Sequence, residues 1–197
     1  NRSNASGEVE FEDAYGVLMG DEGRGIPTII AMASMTRLNC VLGSAAILRT
    51  ATVQAIAYAR QRKAFGKVLA QQPLMRSVLV DLALESEAAM QLGMRLAQAF
   101  EQDSDPLQRG YQRILTPAAK FWVCKRAVAC TAEAMEVLGG NGYVETSVMA
   151  RLLREAPVNS IWEGSGNIMC LDVLRALSKE PQLAALLLQD LQSQAAG

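Results

Sequence analysis

Residues 27–62 read PTIIAMASMTRLNCVLGSAAILRTATVQAIAYARQR, and this stretch decides the fold. Its apolar residues recur at spacings of three and four, which is the period of one face of an α-helix. Pro27 stands where the first turn of a helix tolerates a proline, and Gly43 is tolerated inside the pattern. The pattern is carried by Ile30, Met35, Leu38, Val41, Leu42, Ala45, Leu48, Ala55 and Ala59. The stretch therefore predicts one long helix that ends at about Arg62.

Two further long helices follow in the sequence. Pro73 begins the second, which ends near residue 103. The third runs from about Leu107 to Leu138, and Pro117 either kinks it or marks its true start. Three long helices joined by short turns are typical of an antiparallel bundle.

Shorter helices complete this bundle. The glycine cluster at residues 139–142 stops the third helix abruptly, and a short element over residues 147–154 follows. Ser165 or Asn167 caps a last helix through Leu177, and a tail helix comes after it. We therefore predict an all-α fold, an antiparallel four-helix up-and-down bundle.

We divide the chain into three parts. Residues 7–12 alternate polar and apolar side chains, which predicts a short strand, a β remnant at the N-terminus. Residues 1–25 are assigned to the end of a preceding β domain and linker, residues 26–180 to the helical domain, and residues 181–197 to a tail helix leading to a further C-terminal region. Because the start lacks Met and a signal-like apolar stretch, we expect the sequence to be part of a longer protein.

Composition favours a globular protein and argues against several kinds of site. Hydrophobic residues make up 50% and charged residues 20% of the chain, and no charge-free apolar run reaches the length of a membrane span. There is no histidine, and the four cysteines, which form no C-x-x-C pair, are Cys40, Cys124, Cys130 and Cys170. We therefore expect no metal site, no membrane partner, and reduced, buried thiols in a cytoplasmic protein.

The net charge of −1 is unevenly distributed along the chain. No acid lies between Glu22 and Asp81, a stretch that contains eight cations, Arg24, Arg37, Arg49, Arg60, Arg62, Lys63, Lys67 and Arg76. A second acid-free stretch contains Arg109, Arg113, Lys120, Lys125 and Arg126. This asymmetry suits a phosphate-bearing partner, either a nucleotide cofactor or a nucleic acid. Equally, these cations could pair with the acidic segments at residues 81–105 and 133–155.

One carboxylate near the C-terminal end is the best candidate for a general base. Residues 160–167 read SIWEGSGN, so Glu163 follows Ile161 and Trp162 and precedes a glycine. Without histidine, a base that works near neutral pH must be a carboxylate, a lysine, a tyrosine or a thiolate. Apolar neighbours would disfavour the charged form of Glu163, which suits a base, although a buried structural glutamate is the alternative.

Three turns combine glycine with chemically unusual neighbours. The turn at residues 62–67 places cations around Phe65, which suits a pyrophosphate with a ring stacked beside it. The turn at residues 138–143 lets a ligand approach the backbone closely. The turn at Glu163 precedes a helix whose first N–H groups are available to an anion. Their order along the chain is more specific than any one of them.

These turns resemble motifs of the C-terminal half of the acyl-CoA dehydrogenase flavoprotein superfamily. The motifs are Arg62-x-x-Phe65-Gly66, Leu138-Gly139-Gly140-Asn141-Gly142-Tyr143 and Trp162-Glu163-Gly164-Ser165. The resemblance covers nearly the whole chain. Within the superfamily, residues 159–167, together with residues 1–4 and 35–37, are most similar to the AidB-type branch of adaptive alkylation-response proteins.

The resemblance implies a flavoprotein that binds FAD. In the superfamily, the glutamate that matches Glu163 removes an α-proton from a thioester while the β-hydride passes to the flavin. The residues matching Arg62 and Phe65 contact the FAD of a neighbouring subunit. Further cofactor contacts are implied for Gly139, Gly140, Ile161, Trp162, Ser165 and Asn167, and supporting roles for Arg37 and Arg154.

The resemblance also implies partners. It implies a homo-oligomer, either a dimer or a tetramer, that binds acyl-CoA and double-stranded DNA. Because residues 180–197 contain two acids and no Lys or Arg, we expect DNA to bind through a region beyond this sequence. Many members have glutamines where this chain has Pro73 and Glu136, and those glutamines hold the ADP portion of the cofactor. The resemblance to the AidB-type branch implies weak dehydrogenase activity, on acyl-CoAs like isovaleryl-CoA.

Three interpretations of the function follow. The leading one is the FAD-binding helical domain of an AidB-type protein that protects DNA or destroys alkylating agents. The alternative is a genuine short- or branched-chain acyl-CoA dehydrogenase with Glu163 as its base. A third is a structural module used for assembly without turnover.

Overall fold

The computed structural model describes residues 7–102 and 104–195, and most of them are helical. The helices within these residues are α1 (Gly25–Gln61), α2 (Pro73–Glu101), α3 (Pro106–Gly110), α4 (Thr116–Leu138), α5 (Gly140–Tyr143), α6 (Val148–Glu155), α7 (Gly166–Lys179) and α8 (Pro181–Ala195). Two strands, β1 (Lys63–Ala64) and β2 (Lys67–Val68), pair antiparallel, and short 3₁₀ turns occupy Leu69–Gln71 and Ala156–Ser160.

Helix α1 is the centre of the bundle. It packs against both α2 and α4, which also contact each other, and α7 packs against α4. Alanines such as Ala55 in α1 and Ala127 in α4 are completely buried, and small side chains let two helix backbones approach closely. The predicted all-α helical bundle is confirmed.

The N-terminal strand is a prediction that the structure contradicts. Residues 7–12 form no strand and are exposed. Within the described part of the chain, the two strands present pair only with each other. An isolated extended segment cannot satisfy its backbone groups by pairing, so alternation alone does not make a strand. Residues 1–4, which the resemblance used, lie outside the described residues.

The basic turn after α1 is a β-hairpin. Its two central residues, Phe65 and Gly66, have φ values of 53° and 78°. Two consecutive positive φ values define the turn whose twist matches that of the flanking strands. The Phe65 side chain is 94% exposed at the tip. The hairpin therefore presents an aromatic ring to its surroundings rather than to the core.

The third predicted helix is one helical path with an irregular turn. After α3, the residues Tyr111–Leu115 adopt a π-helix, and α4 begins at Thr116. Pro117 lies in the first turn of α4, where the missing N–H is harmless. Pro117 therefore lies at the start of α4, directly after the irregular turn of a helical path that continues through it.

Helix ends agree with the glycine and proline signals of the sequence. Gly139 ends α4 with a φ of 60°. A side chain at Gly142 would overlap the carbonyl oxygen of Met135, so the single turn of α5 needs glycine there. Ser165 is at the N-cap position of α7, and its side chain makes no capping hydrogen bond.

Two details of burial bear on the predictions. Cys40, Cys124 and Cys130 are buried as free thiols. Cys170 is exposed on α7, so the prediction that all four thiols are buried is wrong for this one. Among the described residues, α1 is long and apolar enough to span a membrane, although its contacts are those of the central helix of a bundle.

Candidate active site at the start of α7

Glu163 lies in a strained turn just before α7. Its φ is 59° and that of Gly164 is 107°. A positive φ is uncommon for a residue with a side chain, and such outliers cluster at functional sites. The Glu163 side chain is exposed, so the prediction of apolar burial around it is wrong. Ile161 and Trp162 are themselves partly exposed, at 66% and 45%, and do not enclose the carboxylate.

A threonine of α1 contacts the carboxylate directly. The hydroxyl Oγ1 of Thr36 lies 2.8 Å from Glu163 Oε2 and 3.0 Å from the carbonyl oxygen of Ala33. A hydroxyl has one hydrogen to donate and two lone pairs that accept. Thr36 can therefore donate to an ionised Glu163. It can equally donate to Ala33 while accepting a hydrogen bond from a protonated Glu163.

Arg37 connects the turn to a group of charges. Its Nε donates to the Glu163 carbonyl oxygen at 3.1 Å, and its NH1 is 2.8 Å from Asp172 on α7. The Asp172 carboxylate also contacts Arg113 at 3.1 Å, and Arg113 reaches Glu180 at 3.2 Å. The ion pair places Arg37 where the predicted supporting role requires it, and that role stays a prediction.

Lys120 of α4 holds the next carbonyl of the same turn. Its Nζ donates to the Gly164 oxygen at 2.7 Å, and the residue is 1% exposed. Burial lowers the pKa of the Lys120 amine, because a charged group is poorly solvated there. The buried thiols of Cys40 and Cys124 lie close to Lys120 and act in the opposite direction, raising the pKa of its amine.

Hydrogen bonds connect Trp162 to α1 through Asn159. Its indole Nε1 donates to Asn159 Oδ1 at 3.2 Å, and Asn159 Nδ2 donates to Ser44 Oγ at 3.1 Å. Asn159 is nearly buried. This chain of hydrogen bonds fixes one end of the Glu163 turn to the centre of the bundle.

Packing also fixes the start of α7. A side chain at Gly164 would come within 2.6 Å of Met169 Cε, and Met169 is completely buried. Ser165 and Asn167 are exposed at the helix start, beside Glu163 in sequence. The structure therefore brings together the predicted residues of the 161–167 segment with Arg37.

The other predicted cofactor residues form a second cluster. Tyr58, in the last turn of α1, accepts a hydrogen bond of 3.2 Å from Asn141, next to Gly140. This bond places the Arg62–Phe65 hairpin and the Gly139–Gly140 turn at the same end of the bundle. Between Thr36 and Arg62, α1 is about 39 Å long at a rise of about 1.5 Å per residue. The two clusters of one chain are therefore far apart.

Arg154 belongs to neither cluster by its contacts. It lies on α6, and its NH1 forms a short bidentate contact with Glu145, one oxygen at 2.7 Å. This contact raises the pKa of Arg154 and lowers that of Glu145. Both side chains are exposed, so the pair contributes little to stability.

The uneven charge of the sequence is only partly compensated within the chain. Of the eight cations in the first acid-free stretch, Arg37 is the one with an ion pair among the described residues. In the second stretch, Arg113 and Arg126 have acidic partners. Glu85, the partner of Arg126, is the one that lies in a predicted acidic segment. The cations of the hairpin thus remain available to a phosphate.

The chain's residues fit a dinucleotide cofactor. A Cβ at Gly139 or Gly140 would meet nothing within 4 Å, so their backbone is open to a ligand. Arg62 and Phe65 are exposed together at the hairpin, and the first N–H groups of α7 have no capping side chain. Glu136 is exposed one turn before Gly139. Its negative charge would repel a phosphate bound there.

Bundle, strained turn and glycine motifs together define an acyl-CoA dehydrogenase C-terminal domain. The family model described as "Acyl-CoA dehydrogenase, C-terminal domain" matches residues 23–178. The chain therefore belongs to the acyl-CoA dehydrogenase family, whose members are FAD-dependent oxidoreductases.

Two curated proteins are similar to this chain over most of its length. AidB of Escherichia coli (strain K12) is 58% identical over 180 residues, which are 91% of this chain and 33% of that protein. Acyl-CoA dehydrogenase family member 11 of Caenorhabditis elegans is 31% identical over 87% of this chain and 28% of its own length. The chain thus spans about a third of the length of the curated relatives it matches.

Solved structures show the same fold. The structure of Caenorhabditis elegans ACDH-11 in complex with C11-CoA superposes with a TM-score of 0.84 at 29% identity, over 89% of this chain and 30% of that one. Butyryl-CoA dehydrogenase from Megasphaera elsdenii superposes with a TM-score of 0.73 at 28% identity, over 81% of this chain and 40% of that one.

Sequence reasoning did not assign a role to three residues of the site. Thr36 appeared only within a stretch similar to the AidB-type branch, Lys120 only as one of several cations, and Asp172 not at all. The one signal available for Lys120 was its position in the apolar period of α4, where a charged residue is unusual.

Proposed function

We propose that the whole protein is an FAD-dependent, AidB-type member of the family, with a weak acyl-CoA dehydrogenase activity in which Glu163 removes the α-proton. The observation that carries this proposal is the Glu163 turn, which presents one carboxylate outward on a backbone held from both α1 and α4. The C11-CoA complex of the Caenorhabditis elegans relative supports a fatty acyl-CoA as the ligand.

The residues of this chain bind and move the proton. Glu163 Oε2, ionised and held by Thr36, takes the proton from the carbon next to the thioester carbonyl. Thr36 then turns its own hydrogen to Ala33 and accepts the one that Glu163 has gained. The same hydroxyl therefore stabilises both states of the base.

Bound FAD supplies the acceptor for the hydride that leaves the neighbouring carbon. Arg62 and Phe65 would hold a phosphate and a ring of a neighbouring subunit's cofactor, and Gly139 and Gly140, at the same end of the bundle, would leave room for its adenosine portion. The Ser165–Asn167 segment, at the other end, would contact the cofactor beside Glu163.

The biological role extends this proposal. The AidB-type motif over residues 159–167 and the 58% identity to AidB support a role in the response to DNA alkylation, protecting DNA or destroying alkylating agents. Double-stranded DNA would bind through a region beyond residue 197, since residues 180–197 carry no Lys or Arg. We place the protein in the cytoplasm, as a dimer or tetramer.

The second candidate is a genuine short- or branched-chain acyl-CoA dehydrogenase. It is favoured by the intact contacts of Glu163, because a base with an oriented carboxylate is what efficient proton abstraction requires. A module used only for assembly is the third possibility. It does not explain why the backbone at Glu163 is strained.

Flavin bleaching separates these candidates. The full-length protein is mixed anaerobically with a panel of acyl-CoAs, and the flavin absorbance is followed in wild type and in Glu163→Gln. Slow bleaching that Glu163→Gln reduces to a small residual rate supports the proposed function. Rapid bleaching reduced in the same way supports the genuine dehydrogenase instead.

A panel without any bleaching would contradict both enzymatic candidates. Glu163→Gln keeps the size and hydrogen-bonding shape of the side chain, so its folded state should match wild type. Far-UV circular dichroism and flavin content of the two proteins provide that control.

A further inference from the structure

The turn that carries Glu163 needs external contacts to persist. Two successive residues, Glu163 and Gly164, have positive φ values of 59° and 107°. This conformation is costly for a residue with a side chain and is retained where the surroundings determine it. The contacts that fix it are therefore part of the site.

Each carbonyl of the strained pair is held by one cation. Arg37 Nε donates to the Glu163 oxygen at 3.1 Å from α1, and Lys120 Nζ donates to the Gly164 oxygen at 2.7 Å from α4. Arg37 is itself anchored by Asp172 at 2.8 Å. The turn is thus clamped between the two central helices of the bundle.

Packing alone does not account for Lys120. The residue is 1% exposed, and an apolar side chain of similar length would fill the same space without a buried amine to desolvate. Its Nζ points at the one turn of the chain that carries the base. The distance of 2.7 Å is that of a charge-assisted hydrogen bond.

We propose that Lys120 is a positioning residue, which holds the Gly164 carbonyl so that the turn presents the Glu163 carboxylate to the substrate. The proposal rests on the proposed function of Glu163 as the base. It goes beyond that function because Lys120 touches neither substrate nor cofactor and acts through the backbone.

The first test measures the order of the turn and needs no turnover. Hydrogen exchange is followed by mass spectrometry in full-length wild type, Lys120→Met and the control Lys179→Met, an exposed lysine of α7. In wild type, the amides of Ile161 and Trp162 are bonded to Val158. We expect the peptide containing them to exchange about tenfold faster in Lys120→Met, and α2 peptides and Lys179→Met to match wild type.

The second test measures kcat and KM for the acyl-CoA that bleaches the flavin. Lys120→Met should lower kcat about 100-fold, as a small misplacement of a base does, with KM and flavin content nearly unchanged. The same substitution in a Glu163→Gln background should cause no further loss, because the base it positions is already absent. Lys179→Met should retain the wild-type rate.

Each outcome decides between the ideas. Unchanged exchange at residues 161–162, or an equal loss of rate with and without Glu163, overturns the positioning role. If none of the acyl-CoAs bleaches the flavin of the wild-type protein, the proposed function fails. The exchange experiment still decides whether Lys120 orders the turn. If Lys120→Met does not fold, Lys120→Gln, which keeps an N–H donor at shorter reach, is measured in both tests.

Discussion

At the scale of single residues, the hydroxyl of Thr36 is the group most closely adapted to proton transfer. It lies within hydrogen-bond distance of both Glu163 Oε2 and the Ala33 carbonyl. A group that could only donate would disfavour the protonated form of Glu163, and a group that could only accept would disfavour the ionised form. A rotating hydroxyl with a second acceptor avoids both costs, which suits a base that alternates between two states.

Replacing Thr36 with valine therefore has a specific expected effect. Valine has the same shape but no hydroxyl, so the ionised carboxylate loses its donor. We expect kcat/KM for an acyl-CoA to fall about tenfold, the value of one hydrogen bond to a charged group. Steady-state kinetics of the full-length protein measure this fall.

Thr50 on the same helix provides the matched control. Its hydroxyl donates to Ala46 at 2.8 Å on the exposed surface of α1. Thr50→Val should leave kcat/KM at its wild-type value. An equal kcat/KM for Thr36→Val and wild type would show that Thr36 does not act on the base.

At the scale of elements, α4 combines close packing with buried titratable groups. Cys124 and Cys130 of this helix and Cys40 of α1 are buried, and burial raises the pKa of each thiol. Their folded pKa values thus lie above the 9.0 of a solvated thiol. The contribution of these neutral thiols to the free energy of unfolding is fully present below about pH 9. It is lost as the pH rises through the pKa values of the folded state. Lys120, whose pKa is lowered by burial, acts in the opposite direction.

Alkaline unfolding tests this interpretation of the thiols. Cys124→Ala removes one group that the unfolded chain ionises before the folded chain does. Above about pH 9, we expect the free energy of unfolding to fall less steeply in this variant, by up to about 1.4 kcal/mol per pH unit. Urea titrations at pH 8, 9 and 10 measure the slope.

Cys170→Ala is the control for this experiment, because Cys170 is exposed. Its slope should equal that of wild type. If Cys124→Ala is as steep as wild type, proton linkage at this thiol does not contribute to alkaline unfolding.

The elements also show which parts of the fold the sequence could predict. The periodicity of α1 and the proline at the start of α2 predicted long helices correctly, because one apolar face and a helix-start residue are local signals. The strand at residues 7–12 was wrong, because alternation does not reveal whether a partner strand is present. The π-helix at Tyr111–Leu115 had no local mark either. Its Tyr111 hydroxyl donates to Asp190 at 2.6 Å, 79 residues away in sequence.

The site follows the same division. Glu163 and the glycine turns could be chosen as candidates because their chemistry and spacing are local in the sequence, and their roles stay predictions. The contacts from Thr36 and Lys120 join positions far apart in sequence, 127 and 44 residues from their partners. Such contacts depend on how α1 and α4 pack. Neither composition nor periodicity specifies that register.

At the scale of the whole molecule, the two clusters of predicted cofactor residues lie far apart within one chain. Glu163 lies beside Thr36, and Arg62 follows the far end of α1, about 39 Å away along the helix. One cofactor held by both clusters must therefore use Glu163 of one subunit and Arg62 of a neighbour. The exposed apolar residues of α7, Ile168, Leu171 and Leu174, provide surface for such an assembly.

Mixing two inactive variants tests this arrangement. Full-length Arg62→Ala should lose FAD and activity, and Glu163→Gln should keep FAD but lose activity. In mixed dimers, one of the two sites takes Glu163 from the first variant and Arg62 from the second, so it is intact. Random reassociation of equal amounts should restore roughly a quarter of the wild-type rate, if the dimer is symmetric. Flavin bleaching before and after dissociation and reassociation measures the recovery, and each variant treated alone is the control. Absence of recovery, with mixed dimers demonstrated by mass spectrometry, would mean that each site is built within one chain.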